Sequence, residues 1–553
     1  MKLTTVLAVL VCGRVCVGIT QFCDSPIYCV GDMLDVVQKS KIFQDSKSFV
    51  DMSQINRPNE TLRNFNDFMR NAHHSPSQEQ IRSFVEENFV DESGLEDWMP
   101  SDYDSSPLFL EKISDDAVRG FAQDLIGIWP TLGRKVKKDV RENPDKHSLI
   151  YVPNGFVIPG GRFREMYYWD SYWIVKGLLI SGMKETVRGI LDNFIYLVER
   201  YGFVPNGSRV YYLNRSQPPL FALMVGLYVD FTNNVEWLQQ NIGVLEKELK
   251  WWLNNRVTVV KKDGKSHMLA HFSSEADTPR PESYFEDVKT CAEFEQESKK
   301  NCYMNLRSGA ESGWDFSSRW MFHQNHSKCS NLTHIQVTRI APVDLNSYLC
   351  KAFRELSRFY TLTGDSKKSF QWLERSFSWE KSIESVFYDN QDGIWYDYDI
   401  TSSKSRKAFY LSNFAPLWCQ TFDASLRREY GSRAVSYLNS LEIGKFEEGV
   451  PTSLKESGQQ WDRPNAFPPL QEILILGLLE TGQSEAKELA TIFAHRWIVA
   501  NIRSYNKNGV MFEKYHAENP DQFATGGEYR VQSGFGWTNG VALSIIEKFY
   551  VNK

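Results

Sequence analysis

Two carboxylates stand out as candidates for chemistry. Asp315 lies in Gly313-Trp314-Asp315, where the adjacent indole can supply the apolar wall that raises a carboxyl pKa. Glu528 follows Gly526-Gly527, a pair whose freedom lets the backbone approach a ligand closely. A general acid and a general base on opposite sides of an acetal are what glycoside hydrolysis requires. Taken singly, each residue reads equally as a carboxylate capping a helix or pairing with an arginine. The catalytic reading gains weight from the company they keep.

That company is a set of segments with one composition, at 159–173, 204–219, 273–284, 308–320 and 525–540, with a sixth at 459–470. Each sets Gly or Pro turns beside carboxylates, arginines or aromatic rings. Buried Asp and Glu are costly unless paired or hydrogen-bonded, so such clusters ask for a polar ligand or a polar network. The first, PGGRFREMYYWDSYW, holds six aromatic and four charged residues in fifteen positions. A pyranose offers an apolar C–H face and a polar rim, which suits that mixture. Arg162, Arg215 and Arg280 read either as surface ion pairs or as rigid donor forks for sugar hydroxyls. If all three line one pocket, they pull carboxylate pKa values down, and an acid at Asp315 then needs shielding or strong desolvation.

Other chemistries fit less well. His267 and His271 have i, i+4 spacing, but the glutamate of a zinc HExxH motif is missing. Gly534-Phe-Gly536-Trp-Thr-Asn-Gly540 misses dinucleotide spacing by one residue, and neither a GxSxG elbow nor a Walker motif occurs. No cofactor or metal is expected. The formal net charge of −6 gives no reason to invoke nucleic acid or an anionic membrane. No obligate protein partner is evident.

Residues 1–18 read as a signal peptide ahead of one domain, 19–553, and the mature chain is expected to be secreted without a membrane anchor. Seven of the nine cysteines lie beyond the leader, and Cys23–Cys29 and Cys291–Cys302 are the first candidate pairs. Export exposes sequons at Asn59, Asn325 and Asn331, whereas those at Asn206 and Asn214 fall in a candidate site segment. Hydrophobic periodicity predicts a helix after Ser75-Pro76 and about a dozen more from residue 115 onward. They lie near 115–130, 170–182, 185–201, 218–230, 242–254, 343–363, 366–387, 409–420, 430–441, 468–481, 484–504 and 538–550, with the site segments between them. Strand patterns are few and short, as at 394–400 and 256–262. This predicts an all-α domain in which helix pairs close into a ring and gather connections at one end.

With these segments in view, the chain resembles the trehalase family. PGGRFREMYYWDSYW matches that family's first signature, P-G-G-R-F-x-E-x-Y-x-W-D-x-Y, at every fixed position. QWDRPNAFPP is similar to the second, with Phe467 in place of the usual Trp, and ESGWDFSSRW and GGEYRVQSGFGWTNG resemble further family blocks. The resemblance implies an (α/α)6 barrel and inverting hydrolysis of α,α-trehalose without metal or cofactor. It implies Asp315 as general acid and Glu528 as general base. Implied as substrate-binding are Arg162, Trp169, Asp170, Asn206, Arg215, Gln217, Arg280, Glu282, Gly313 and Trp461. The competing readings are an (α/α)6 enzyme on another α-glucoside, including a disaccharide phosphorylase, and an inactive carbohydrate-binding homologue. The presence of both Asp315 and Glu528 argues against the last.

Overall fold

The computed structural model describes residues 23–322, 331–519 and 522–551. The expected signal peptide and the Asn325 sequon lie outside the described residues. Twelve helices alternate between two layers. The outer layer holds α1 (Asp116–Ile128), α3 (Lys184–Tyr201), α5 (Val235–Asn255), α7 (Ser366–Phe387), α9 (Arg427–Ser440) and α11 (Ser484–Asn508). The inner layer holds α2 (Asp170–Ile180), α4 (Phe221–Thr232), α6 (Val343–Leu362), α8 (Ala415–Cys419), α10 (Pro468–Glu480) and α12 (Gly536–Phe549). Inner helices pack in the cyclic order α2–α4–α6–α8–α10–α12 and back to α2, which closes an (α/α)6 barrel.

Sequence composition sorts the layers. Eleven of the thirteen residues of α10 are buried, because it is apolar nearly all round and must be covered on every side. In α11 only eight of twenty-five are buried, on a single face. Glu472 sits in the midst of α10 at 0% exposure, and Lys176 of α2 meets it at 3.0 Å, which keeps a buried charge paired.

The two ends of the barrel differ in connection length. Inner helices return to outer ones through tight turns such as Ser181-Gly182-Met183, Thr363-Gly364-Asp365 and Thr481-Gly482-Gln483. Glycine takes a positive φ in each of the three. Outer helices return to inner ones through long segments, and every candidate site segment is one of these. Each therefore belongs to a connection that leads into an inner helix, and together they form one end of the barrel. The expected strands occur as Val257–Lys262, Ile394–Trp395 and Tyr398–Asp399, all in small sheets outside the helical layers. His267 lies in the hairpin strand Lys265–Ala270, where Nδ1 meets Ser382, and His271 Nδ1 meets the Thr338 carbonyl. The expected helix at 409–420 is split, with a 3-10 turn over Leu411–Phe414 before α8.

Residues 23–90 build a second, smaller core around Leu34, Phe49, Phe65, Phe84 and Phe89. It includes the helix Gln78–Asn88, whose capping box is Ser77 with Gln80, two residues beyond the expected start. Tyr167, Tyr211 and Tyr212 from the site segments complete this core, so it is anchored to the site end of the barrel. Both candidate disulfides, Cys23–Cys29 and Cys291–Cys302, are formed, while Cys350 and Cys419 are free and buried.

Barrel closure depends on glycine where α2 crosses α12. A Cβ on Gly540 would lie 1.9 Å from the Trp173 carbonyl oxygen, and one on Gly177 would lie 2.7 Å from the Gly540 Cα. Gly540→Ala is therefore expected to destabilise the fold by about 3 kcal/mol, the upper part of the overpacking range. Urea unfolding followed by tryptophan fluorescence would measure this, and an unchanged midpoint would refute the crossing constraint.

Candidate active site

One cavity at the loop end is bordered by all twelve residues named from the sequence: Arg162, Trp169, Asp170, Asn206, Arg215, Gln217, Arg280, Glu282, Gly313, Asp315, Trp461 and Glu528. They come from five outer-to-inner connections. Phe163, Tyr167, Tyr212, Ser283, Glu513, Tyr529, Phe535 and Trp537 also border it, and the sequence had not singled them out. Glu513 in Phe-Glu-Lys-Tyr-His carries no turn or glycine signal and reads locally as an ordinary charged stretch.

Asp315 lies just beyond the helix Gln296–Glu311 and the turn at Gly313. Gly313 has φ +75°, and a Cβ there would meet the Trp169 indole at 2.8 Å, so glycine lets that ring lie against the turn. Burial pushes the Asp315 carboxyl up to about 7. Arg280 and Arg215 pull it down and the charge of Glu528 pushes it up, but desolvation outweighs both arginines. The Asp315 backbone is fixed too: Gln460 Nε2 donates to its carbonyl oxygen at 2.5 Å, and Lys514 Nζ in turn donates to Gln460 Oε1.

Glu528 is held by two donors. Arg280 Nη2 reaches Oε1 at 2.8 Å and Ser283 Oγ reaches Oε2 at 2.9 Å. Each carboxylate oxygen retains capacity for a further hydrogen bond, such as one from water. Gly526 and Gly527 have φ +82° and +89°, and their close approaches are to Gly458 O and the Gln460 side chain. The glycine pair thus fits the loop to the protein, where the sequence had suggested an approach to ligand.

The arginines arrive already paired. Arg280 makes a bidentate contact with Asp287 besides its bond to Glu528. Arg162 is gripped by Asp45 of the smaller core, with Nε–Oδ2 at 2.7 Å and Nη2–Oδ1 at 2.8 Å. Arg215 donates Nη2 to Glu282 Oε1 and lies 4.8 Å over the Tyr212 ring. Its Nε and Nη1, with Glu282 Oε2 and Glu513 Oε2, are buried with no hydrogen-bond partner among the described residues. Gln217 Oε1 accepts from the Trp169 backbone N–H, and Asn206 Nδ2 donates to the carbonyls of Ser216 and Ala310.

Asp170, the first residue of α2, is pushed up to about 8 by burial, reinforced by Glu513 and Asp315. That shift favours its protonated, hydrogen-bond-donating form near neutral pH. Glu165, five residues earlier, is the opposite case. Despite burial, Lys47 at 2.7 Å and Arg209 at 3.1 Å hold it down to about 2. It is a permanent anion tying the first signature to the smaller core.

Within QWDRPNAFPP, Trp461 borders the cavity and is stacked on Trp314, at 5.4 Å and 22°. Phe467 lies behind it, stacked at 3.6 Å and 4°, and is fully buried. The phenyl ring supports Trp461 from the rear and does not border the cavity. Asp462 accepts from Ser317, Ser318 and Ser453 and so buttresses the backbone that follows Asp315.

The trehalase family model matches residues 41–550. A trehalase of Tenebrio molitor is 51% identical over 96% of this chain and 95% of its own length. The trehalase of Homo sapiens is 42% identical over 95% of this chain and 90% of its own. Among solved structures, neutral trehalase Nth1 from Saccharomyces cerevisiae is similar in fold, with a TM-score of 0.58 and 23% identity over 72% of this chain and 74% of that one. A family match across nearly the whole length, on a barrel that brings the family's motif residues to one cavity, establishes that this chain belongs to the trehalase family.

Proposed function

We propose that the chain is a secreted trehalase that hydrolyses α,α-trehalose to two glucose molecules with inversion, residues 19–553 acting as one catalytic unit. The observation that carries the mechanism is that Asp315, which burial pushes up to about 7, shares one cavity with a second carboxylate braced by Arg280 and Ser283. Asp315 donates its proton to the oxygen joining the two anomeric carbons, and that C–O bond breaks to release one glucose. Glu528 takes a proton from a water whose oxygen bonds to the oxocarbenium-like anomeric carbon from the opposite face. The carboxyl groups then need about 6.5–9.5 Å between them to admit the water.

Binding follows from donor and acceptor supply. Trp169, Trp461 and Trp537 offer rings for the apolar faces of the sugars, and Arg215, Glu282 and protonated Asp170 offer hydrogen bonds to hydroxyls. The cavity measures about 60 Å³, whereas ligand pockets typically occupy roughly 300–1,000 Å³. The two disulfides and the exposed Asn59 and Asn331 support an oxidising, exported setting. Among the described residues no helix is long and apolar enough to cross a membrane.

Two outcomes are expected. Asp315→Asn and Glu528→Gln should each lower kcat on trehalose by at least ~100-fold with thermal unfolding unchanged; an active Asp315→Asn enzyme would place the acid elsewhere. Proton NMR of the first products should show α- and β-glucose in equal amounts. Two α-glucoses would mean retention and refute inversion, and glucose 1-phosphate formed in phosphate buffer would point to a phosphorylase.

A further inference from the structure

Arg162 reaches the cavity from the first signature, but the group that aims it belongs to the smaller core, in Asp45-Ser46-Lys47. Asp45 accepts from Arg162 Nε on Oδ2 at 2.7 Å and from Nη2 on Oδ1 at 2.8 Å. Ser46 Oγ accepts from the Phe285 N–H and donates to Glu286, just beyond the segment that carries Arg280 and Glu282. Lys47 meets Glu165 at 2.7 Å, and its backbone N–H donates to Asp45 Oδ1 at 2.9 Å, which orients the carboxylate. Nε and Nη2 of Arg162 are thereby committed. Nη1 has no hydrogen-bond partner among the described residues. The guanidinium carbon lies 4.7 Å over the ring of Tyr529, which also borders the cavity. A bidentate pair of this kind fixes the plane of the donor fork as well as its charge.

We propose that Asp45 is a positioning residue for the reaction, holding Arg162 by its Nε–Nη2 edge so that the N–H groups of Nη1 are presented to a sugar hydroxyl. The reading rests on trehalose being the substrate and on Arg162 binding it. Ion pair and donor fork, the two readings of Arg162 from the sequence, then describe one side chain. One edge serves the pair and Nη1 serves the sugar. Stability is a poor explanation for the pair. Arg162 is 16% exposed and Asp45 34%, and pairs this open contribute little to folding. Binding gains more, because a donor already in place spares the cost of ordering a long side chain when the sugar arrives. Burial raises the Asp45 carboxyl, but its bond to Arg162 and the guanidinium charge outweigh this and hold it below its ordinary range. The acceptor is therefore ionised near neutrality. The smaller core thus contributes to binding through a residue that does not border the cavity.

The test uses the full-length enzyme and measures glucose release from trehalose, with thermal unfolding alongside. Asp45→Asn keeps the shape and one acceptor but loses the charge and sets an amide N–H against the guanidinium. It should lose ~10–100-fold in kcat/KM, the range for a hydrogen bond to a charged group, with its unfolding midpoint unchanged. Asp45→Ala leaves room beside Arg162, so added formate, a free carboxylate, should raise its activity several-fold and leave wild type unaffected. A purely structural role would show no such rescue. Asp45→Asn that matches wild type overturns the proposal, even where Asp45→Ala fails to fold. A loss in Asp45→Asn that comes with a lower unfolding midpoint assigns the residue to stability and overturns it too. So does a folded Asp45→Ala that formate does not revive. Wild type that fails to turn over trehalose overturns the substrate reading itself.

Discussion

Asp315 shares its cavity with Arg280 and Arg215, and guanidinium groups near a carboxyl ordinarily hold it ionised. An ionised Asp315 has no proton to give, so the site depends on desolvation winning that contest. It wins because the carboxyl is walled by the cavity and because the arginine charge is spent elsewhere. Arg280 is shared between Asp287 and Glu528, and Arg215 is paired with Glu282. What reaches Asp315 is the residue of nearly compensated pairs. The same Arg280 contact orients Glu528, so one guanidinium braces the proposed base while its remaining pull on Asp315 is outweighed by burial.

Maintaining that balance falls to the scaffold. Tight turns at one end of the barrel and long segments at the other gather the polar groups of the site at one end. Those segments are then locked by buried ion pairs of their own. Arg319 sits between Asp344 and Asp397, Arg256 meets Glu311, and Arg209 meets Glu165 and Asp51. Removing one member of such a pair leaves an uncompensated buried charge, which is far costlier than losing a surface pair. The smaller N-terminal core belongs to the same system, since Asp45 grips Arg162 and Lys47 neutralises Glu165.

Much of this was legible in the chain. The continuous apolar runs that mark α2 and α10 and the amphipathic pattern of α6 are local signals, and the first signature holds its rings and charges within fifteen residues. The role of Glu165 was not legible, because its partners Lys47 and Arg209 lie far away in sequence and only the fold brings them together. Asp462, next to the site residue Trp461, turns its oxygens to the serines behind Asp315, a role that only the fold shows. Glu513 gives no local signal, and only the fold brings it to the cavity beside Asp315. Phe467 is the converse: a visible departure from the motif whose effect is confined to packing behind Trp461.

To act as the proposed acid, Asp315 must keep its proton close to neutrality. The most direct measurement is the titration of its side-chain carboxyl by carbon-13 NMR in aspartate-labelled enzyme, with the resonance assigned by its absence from Asp315→Asn. A midpoint near 7 is expected, with the protonated form dominant at pH 6 and lost as pH rises through 7. A midpoint near the ordinary aspartate value of about 4 would leave the carboxyl ionised at the working pH and contradict its role as general acid.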